Sequence, residues 1–292
     1  MKVEMADPLH SWAAICGGRH LFVKMHGLRN YFAIFDGRDR PYRPSISEIR
    51  RICDTQTGVG AEQLVVIENP TTKGSAAGAC AFMRLYNIDG REVDACGNAT
   101  RCVAYILMEE SGRTSIRIET GAGLLDCVRA GKLNVRVNMG RIKTGWAEIP
   151  MAEAIDTLHV PLESGSLRDG VASNIGNPHV TFFVNDLDDV DMFRDAPPIQ
   201  SHRMFPVCVN VGAVEITGND SMKLKVWERP GILTQACGSG ACVAANAARA
   251  RGLIAVNKVT VSMLAGSLLI ELQNDGSAIM TGPVAYCCQG TT

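Results

Sequence analysis

The sequence predicts an α/β fold of the α+β roll type, with two pseudo-twofold-related domains that each wrap a mostly antiparallel curved sheet or barrel around a central buried helix. Most of the chain consists of short runs rich in apolar, aromatic or branched residues, separated by polar or glycine-containing segments, which is typical of strands. Two other segments are apolar on nearly every helical face, and such helices lie inside a fold. The two halves of the sequence also resemble each other, which indicates a duplicated unit.

Each predicted element rests on its own pattern. Runs of apolar and branched residues predict strands over His20–Met25, Tyr31–Phe35, Gln63–Glu68, Cys80–Tyr86, Ser115–Glu119, Leu133–Asn138, Val180–Val184, Val207–Ile216, Lys223–Trp227, Lys258–Met263 and Leu268–Leu272. A serine cap, with Ile49 and Ile52 three residues apart, predicts a helix over Ser47–Cys53. The two apolar helices are predicted over Gly97–Glu110 and Gly238–Arg251, and each opens with glycine and a small polar residue.

The duplication is supported by three pairs of matching segments in the same order. Ala95–Asn98 followed by Cys102–Ala104 matches Ala236–Ser239 followed by Cys242–Ala244, with one residue deleted. The other matching pairs are Ala122–Leu125 with Ala265–Leu269, and Gly27–Asn30 with Gly176–His179. Each unit therefore takes roughly half of the chain, and the boundary is predicted within Lys143–Ile155.

Composition excludes several classes of function. The chain has 292 residues, 46% of them hydrophobic, which is enough for a sizeable core. With 29 Lys and Arg against 30 Asp and Glu, its net charge is −1, so it lacks the basic surface of a nucleic-acid binder. No apolar run is long enough to span a bilayer, and Trp12–Cys16 is too short for the apolar core of a signal peptide. We expect a cytoplasmic protein with no nucleic-acid or membrane partner.

The 11 cysteines do not form a recognisable disulfide or zinc pattern. An odd number in a chain of this length, without a predicted signal peptide, argues against a disulfide scaffold. The close pairs are Cys96 with Cys102, Cys237 with Cys242, and Cys287 with Cys288. None has the Cys-x-x-Cys spacing that structural zinc sites favour, so zinc is a weak candidate and no metal ligands are predicted.

Cys96 and Cys237 occupy equivalent places in the repeat, each at the start of a predicted buried helix. The N–H groups and the dipole of a helix N-terminus favour an anion, so we expect both thiols to have a pKa lowered from about 8.5 toward neutrality. A duplicated fold would place the two thiols facing each other across a cleft between domains. One thiolate would then remove the α-proton of an amino acid while the other thiol protonates the opposite face, which is racemisation or epimerisation.

Other interpretations of the cysteines stay open on this reasoning. Cysteine is among the most buried residue types, and Cys102 and Cys242, one to two turns into their helices, are interpreted as core. A non-catalytic, cysteine-rich module that binds zinc or senses oxidation is a further alternative. The absence of a Cys-x-x-Cys motif disfavours the redox function.

Nine motifs, spread over nearly the whole chain from about His20, carry a family resemblance. They are Phe22–Asn30, Thr57–Ala61, Asn87–Gly90, Ala95–Asn98, Ile175–His179, Val209–Gly212, Val226–Arg229, Ala236–Cys242 and Met280–Pro283. In this order they resemble the diaminopimelate epimerase family. The proline racemase family shares the two-cysteine layout but fits the Asn-Pro-His and Trp-Glu-Arg motifs poorly.

The resemblance implies a cofactor-independent isomerase that converts LL-diaminopimelate to the meso form, in the synthesis of lysine and peptidoglycan precursors. It implies two α/β domains with the active site between them, over residues 1–143 plus 281–292, carrying Cys96, and residues 144–280, carrying Cys237. The small-molecule substrate is an amino acid, no cofactor or metal is required, and a homodimer is expected.

Site residues follow from the resemblance position by position. Cys96 and Cys237 are the acid–base pair, and His179 and Glu228 tune these thiols. The substrate-binding residues are Asn30, Gln63, Asn87, Gly97, Asn98, Asn177, Asn210, Glu228, Arg229, Gly238 and Ser239, of which the Gly97–Asn98 and Gly238–Ser239 backbones hold the reacting carboxylate.

The chain departs from the family pattern around this site. Arg29 and Tyr31 replace a glycine and an aspartate in the Gly-Leu-Gly-Asn-Asp-Phe motif. Glu62, Ala99 and Pro230 replace an aspartate and two glycines. The catalytic pair is unchanged, so the reaction type is predicted more firmly than the substrate, and a pyridoxal-phosphate-independent racemase of another amino acid is the alternative.

Overall fold

The computed structural model describes residues 20–94 and 96–292, and these divide into two compact units. Unit 1 comprises the described residues through Val137 together with Gly282–Thr292, and unit 2 is Asn138–Thr281. The domain boundaries predicted from the sequence lie after residues 143 and 280. Trp12–Cys16 and Ala95 lie outside the described residues.

Strands outnumber helices throughout the described chain. In order, the elements are β1 (Leu21–Gly27), β2 (Asn30–Asp36), α1 (Ile46–Cys53), β3 (Gln63–Glu68), α2 (Thr72–Ala76), β4 (Ala81–Asn87), β5 (Glu92–Val93), α3 (Gly97–Ser111), β6 (Ser115–Thr120), β7 (Gly123–Arg129), β8 (Asn134–Arg141), β9 (Val160–Ser164), β10 (Leu167–Asn174), β11 (Pro178–Val184), α4 (Met192–Gln200), β12 (Asn210–Gly218), β13 (Ser221–Glu228), β14 (Ile232–Leu233), α5 (Gly238–Ala250), β15 (Lys258–Met263), β16 (Gly266–Leu272), β17 (Ser277–Pro283) and β18 (Ala285–Thr291). No helix in these two described ranges is both long and apolar enough to cross a membrane.

The two units repeat the same order of strand pairings. In unit 1, β1 is antiparallel to β18 and β2, β2 is parallel to β3, β3 is antiparallel to β4, and β4 is antiparallel to β5 and parallel to β6. The chain continues with the antiparallel pairs β6–β7 and β7–β8. In unit 2, β9 to β17 pair in the corresponding way, with β11–β12 and β13–β15 parallel and the other pairs antiparallel. The predicted roll and its duplication are confirmed at the level of topology.

One helix lies in the interior of each unit, as the sequence predicts. In α3, most side chains between Asn98 and Met108 are buried, and in α5 those of Gly240–Ala245 are buried. The α5 helix packs against β10–β13, β15 and β16, so it is surrounded by sheet and its apolar residues face neighbours on all sides. Both helices begin where predicted, and they end within one residue of the predicted positions. Gly112, with φ 66°, ends α3 because glycine adopts the left-handed conformation easily.

Other elements differ from the sequence predictions. The helix α1 begins at Ile46 and not at Ser47, because Ser45 is the N-cap and forms a capping box with Glu48. The strand predicted over Val207–Ile216 begins only at Asn210, since Val207 is exposed and Cys208 has a left-handed φ of 59°. Neither α2 nor α4 is predicted from the sequence.

Candidate active site

Cys96 is the N-cap of the buried helix α3 and has an extended backbone, with φ −147° and ψ 115°. Its carbonyl accepts the N–H and the hydroxyl of Thr100, both at 2.9 Å, so the first turn is fixed from within the chain. The following N–H groups are those that a helix leaves without an intrahelical partner. Cys96 therefore stands beside backbone donors that suit a carboxylate.

Asn30, at the start of β2, is the side chain that joins the hairpin β1–β2 to Cys96. Its Oδ1 lies 3.9 Å from the Cys96 Sγ, which donates to it, and 3.1 Å from the Nδ2 of Asn98. The Nδ2 of Asn30 donates to Glu62. The structure thus brings together three of the residues predicted for the site and adds Glu62 to them.

Gln63 and Asn87 face each other across the antiparallel strands β3 and β4. The Nε2 of Gln63 donates to Asn87 Oδ1 at 2.9 Å. The Gln63 Oε1 is buried and has no hydrogen-bond partner among the described residues. A buried acceptor without a donor is costly, so this oxygen suits a donor supplied by a ligand.

Cys237 is the N-cap of α5, in the position equivalent to that of Cys96 in α3. Its Sγ accepts the N–H of Gly240 at 3.3 Å and lies 3.4 Å from the hydroxyl of Ser239. Its own N–H donates to the thioether sulfur of Met263 at 3.3 Å. The Cys237 side chain is thus held by the first turn of α5, and its backbone by the end of β15.

Burial raises the pKa of the Cys237 thiol well above its usual value, and the charge of the neighbouring Glu228 raises it further. The hydrogen bonds from Ser239 and from the Gly240 N–H act in the opposite direction but are smaller effects. The expectation of a lowered pKa was therefore wrong for Cys237. Its thiol is protonated at neutral pH, because the helix N-terminus does not compensate for the loss of water.

Glu228, the last residue of β13, adjoins this thiol. Burial raises the pKa of its carboxyl, while hydrogen bonds with Cys237 and Thr234 lower it to a smaller extent. The short strand β14 returns antiparallel to β13, with Glu228 opposite Ile232, and this turn brings residues nine positions apart together at the start of α5. Glu228 is thus placed to hydrogen-bond with Cys237 and to influence its pKa.

His179 is fully buried and lies at the centre of a polar cluster in unit 2. Its Nε2 is 3.1 Å from both the Asn177 Oδ1 and the Ser239 Oγ, and 3.3 Å from the Asn210 Nδ2. Burial, and secondarily the charge of Arg229, lower its pKa to about 3, so the ring is neutral at physiological pH. The imidazole consequently acts on Cys237 through the orientation of Ser239 and not as a nearby cation.

Arg229 is held from both sides by the chain around Asn210. Its backbone N–H donates to Asn210 Oδ1 at 2.9 Å, and its Nη1 donates to the carbonyl of Val207 at 2.8 Å. Partial burial lowers the pKa of the guanidinium from its usual value. These contacts fix one edge of a planar group that binds carboxylates with two parallel hydrogen bonds.

Of the residues that depart from the family pattern, Glu62 contacts Asn30, whereas Tyr31 does not face it. Tyr31 pairs with His26 across the hairpin, at 5.0 Å between ring centroids, and lies under the Lys24 ammonium at 5.1 Å. Adjacent side chains of a strand point to opposite faces, so Tyr31 faces away from Asn30. Arg29 is exposed in the hairpin turn.

Two more departures, Ala99 and Pro230, directly follow the Cys-Gly-Asn and Trp-Glu-Arg motifs. Ala99 is fully buried within α3, where it contributes only a methyl group to the packing. Pro230 is exposed directly after Arg229.

Two residues adjoin the site without having been predicted for it. Glu62 accepts a hydrogen bond from Asn30. In the sequence, Glu62 stands out only because it replaces an aspartate of the family pattern. Met263 accepts the Cys237 N–H. It lies on a strand 26 residues further along the chain, so no local sequence signal pointed to it.

The remaining cysteines fit the interpretation made from the sequence. Cys102 and Cys242 are fully buried core residues, and burial raises the pKa of Cys102 to about 12. None of the cysteines within residues 20–94 and 96–292 forms a disulfide. Over the same described ranges, no group of three or more His, Cys, Asp or Glu side chains converges in a way that would hold a metal ion.

Comparison with known proteins assigns this chain, with its two cysteine-capped helices, to one family. The family model described as diaminopimelate epimerase matches residues 22–144 and 171–287, which include both cysteine motifs. The chain belongs to the diaminopimelate epimerase family. The diaminopimelate epimerase of Acidiphilium cryptum is 43% identical over 269 residues, covering 92% of this chain and 95% of the relative. That of Phenylobacterium zucineum is 42% identical over 273 residues, with coverage of 92% and 96%.

Several solved structures are similar in fold to this epimerase-family chain. A hydroxyproline epimerase from Agrobacterium vitis superposes with a TM-score of 0.65 at 14% identity, covering 94% of this chain and 92% of the other. A phenazine biosynthesis protein of the PhzF family from Bacillus anthracis has a TM-score of 0.64 at 16% identity, with coverage of 94% and 99%. The epimerase family thus shares its two-roll architecture with proteins of very different sequence.

Proposed function

We infer that this chain is a diaminopimelate epimerase, an isomerase that inverts the α-carbon at one end of LL-diaminopimelate to give the meso form. Family membership over most of the chain and relatives above 40% identity support this function. The observation that carries it is that two cysteines cap the buried helices of two units with the same topology. A scaffold that repeats a thiol at a helix N-terminus suits a reaction that needs two proton-transfer groups.

The reacting carboxylate is bound by the backbone at the two helix starts. The N–H groups of Gly97 and Asn98 in α3, and of Gly238 and Ser239 in α5, belong to the first turns, where N–H groups lack intrahelical partners. As the α-proton leaves, negative charge spreads into this carboxylate. Donors already in place stabilise that charge more in the transition state than in the substrate, and this lowers the barrier.

Cys237 begins the reaction as the proton donor in our proposal. Its raised pKa keeps the thiol protonated in the resting enzyme. Once Cys96 has lost its S–H proton to solvent, its thiolate takes the α-proton, the electron pair of the C–H bond passes into the carboxylate-stabilised carbanion, and the Cys237 S–H protonates the opposite face. Cys96 ends as a thiol and Cys237 as a thiolate, so the reverse reaction uses the same two groups with exchanged roles.

His179 and Glu228 serve Cys237 in different ways. His179 is neutral and holds Ser239, whose hydroxyl lies 3.4 Å from the Cys237 sulfur. Glu228 hydrogen-bonds with the thiol, and its negative charge disfavours the thiolate. Glu228 therefore favours the protonated Cys237 from which the proposed first step starts, whereas the Ser239 hydroxyl that His179 holds favours the thiolate with which that step ends.

Polar side chains further from the thiols bind the rest of the substrate. The half-fixed guanidinium of Arg229 suits the distal carboxylate, with the amides of Asn177 and Asn210 beside it. The buried Oε1 of Gln63, which lacks a partner, and its neighbour Asn87 suit an ammonium group. Diaminopimelate has both a carboxylate and an ammonium group at its distal end, and a pocket built for these groups discriminates against an amino acid that lacks them.

The proposal is tested by incubating the protein in deuterated water with a panel of amino acids and following loss of the α-proton by NMR. The panel contains LL- and meso-diaminopimelate, proline, hydroxyproline, glutamate and lysine. We expect exchange to be fastest with the two diaminopimelate isomers. Exchange confined to another amino acid would refute the substrate but leave the two-thiol chemistry intact.

The two thiols are tested in the same assay. Cys96→Ser and Cys237→Ser should each lose nearly all turnover, because a serine hydroxyl is a far weaker acid and base near neutral pH. Cys102→Ser is the matched control within α3, since Cys102 is a core residue. Full activity in either catalytic variant would return these cysteines to a redox or packing role. We further propose that the protein works in the cytoplasm, in keeping with its membership of this enzyme family.

A further inference from the structure

The hairpin turn between β1 and β2 consists of Leu28 and Arg29, both in the left-handed region, with φ 54° and 61°. Two-residue hairpin turns of this kind normally contain asparagine, aspartate or glycine, because a side chain with a Cβ disfavours positive φ. Neither turn residue belongs to that group. Something outside the turn must therefore help to hold its conformation.

His26 supplies such a contact. Its Nδ1 accepts the backbone N–H of Arg29 at 3.2 Å. The ring packs edge-on against Tyr31, which lies directly opposite on β2. Since the Arg29 N–H has to be the donor, the Nδ1 of His26 carries no proton and acts as a fixed acceptor above the turn.

The turn leads directly to the Cys96 thiol. Asn30 follows Arg29, and its Oδ1 accepts from the Cys96 Sγ and from Asn98 Nδ2. A change of φ at Arg29 rotates the backbone that carries Asn30, and so displaces the acceptor of the thiol. His26 contacts the turn and Tyr31, so the route from its ring to the thiol that we argue runs through the turn and Asn30.

We propose that His26 is a positioning residue for Cys96, which it serves by holding the left-handed turn that presents Asn30 to the thiol. The proposal rests on the epimerase function inferred above. It predicts that the turn depends on His26 because residue 29 has a side chain. A glycine at position 29 would adopt the left-handed conformation unaided and would make the His26 acceptor dispensable.

The test is a double-mutant cycle with His26→Phe, Arg29→Gly and the two combined, measured as kcat and KM for diaminopimelate. Phenylalanine keeps an aromatic ring against Tyr31 but removes the acceptor. We expect His26→Phe to lower kcat about tenfold with KM nearly unchanged, because a small displacement of a positioned group costs mainly rate. Arg29→Gly alone should be nearly neutral, and the double variant should recover most of the lost rate.

Two further variants separate positioning from stability. His26→Asn retains a side-chain acceptor near the turn and should rescue most of kcat, whereas Tyr31→Leu removes the ring contact but leaves the hydrogen bond and should be nearly neutral. Thermal melting of each variant identifies any that lose rate through unfolding. Additive effects of His26→Phe and Arg29→Gly, or a normal kcat in a folded His26→Phe variant, would overturn the proposal.

A readout without substrate keeps this proposal separate from the epimerase function. Labelling by iodoacetamide at a fixed pH, followed at each cysteine by mass spectrometry, reports on the Cys96 thiol directly. We expect His26→Phe to change Cys96 labelling by at least about twofold, because the thiol loses its Asn30 acceptor, and to leave Cys237 unchanged. Unaltered Cys96 labelling refutes the positioning role even if diaminopimelate proves to be the wrong substrate.

Discussion

The buried, neutral His179 makes the stability of unit 2 depend on pH in a way that can be calculated. Its pKa is about 3 in the folded protein, against 6.5 for an unperturbed histidine. As the pH falls below 6.5, the unfolded state binds this proton and the folded state does not. The stabilisation is therefore complete above pH 6.5 and is lost progressively until the pH reaches the folded-state value.

The size of the effect follows from the separation of the two pKa values. Between neutrality and about pH 4.5 the loss spans about 2 pKa units at about 1.36 kcal/mol each, which is about 2.7 kcal/mol of unfolding free energy. Asp54, Asp89 and Asp169, with lowered pKa values, lose their contributions only below their ordinary range, at lower pH. Glu228, with its raised pKa, opposes the histidine by gaining a proton in the folded state first.

The measurement compares wild type with His179→Gln by urea unfolding at pH about 7 and about 4.5, using the fluorescence of the buried Trp227 in unit 2. The contributions of Glu228 and the aspartates are common to both proteins and cancel in the difference. We expect the wild type to lose about 2.7 kcal/mol more than the variant on acidification. Equal acid losses in wild type and His179→Gln would show that the folded imidazole takes up a proton and would refute the reasoning.

Three other outcomes are expected. Arg29→Gly should raise the free energy of unfolding by about 0.5–1 kcal/mol, because relief of the left-handed strain exceeds the entropy that glycine gives the unfolded chain; calorimetric melting measures this, and a destabilised variant would contradict it. Glu228→Gln should extend iodoacetamide labelling of Cys237 to lower pH, because it removes a charge that raises the thiol pKa; an unchanged labelling profile would exclude that influence. Dialysis against a chelator should leave epimerisation unchanged, because the proposed proton transfers use only thiols, and loss of activity restored by a metal salt would argue against them.

The sequence predicted the two central helices well because their signals are local. Gly97 and Gly238 follow cysteines at the start of each apolar run, and the predicted ends lie within one residue of Ser111 and Ala250. Because these helices are apolar on all faces, the uninterrupted apolar run itself marks their extent in the sequence. The repeated motif is a second, independent indication of where each helix begins.

The helix α4 could not be predicted in this way. Pro197 and Pro198 lie inside it, and proline removes a backbone donor and disfavours helical conformation in the residue before it. The helix forms because Asp191 caps it by accepting from the N–H groups of Phe193 and Arg194, while Ala196 and Ile199 pack into the core. Tertiary packing overrides a local pattern that is typical of a loop.

The electrostatics of the candidate site could not be predicted from the sequence. The helix N-terminus at Cys237 is visible in the sequence, and so is the presence of Glu228. Full burial of the thiol and its contact with that carboxyl depend on the β13–β14 turn, which no local pattern reveals. This is why a lowered thiol pKa was expected and a raised one is found.

The two units share a topology, but the surroundings of their two thiols differ. Gene duplication copied the backbone, but the side chains around the two sulfurs have diverged: Cys96 donates to an amide oxygen of Asn30, whereas Cys237 accepts from the Gly240 N–H and adjoins a carboxyl. A symmetric frame therefore holds two thiols with different affinities for a proton. A racemase acting on mirror-image substrates has no thermodynamic preference between them, but LL- and meso-diaminopimelate are diastereomers. An enzyme whose two acid–base groups differ is free to have a different rate-limiting proton transfer in each direction.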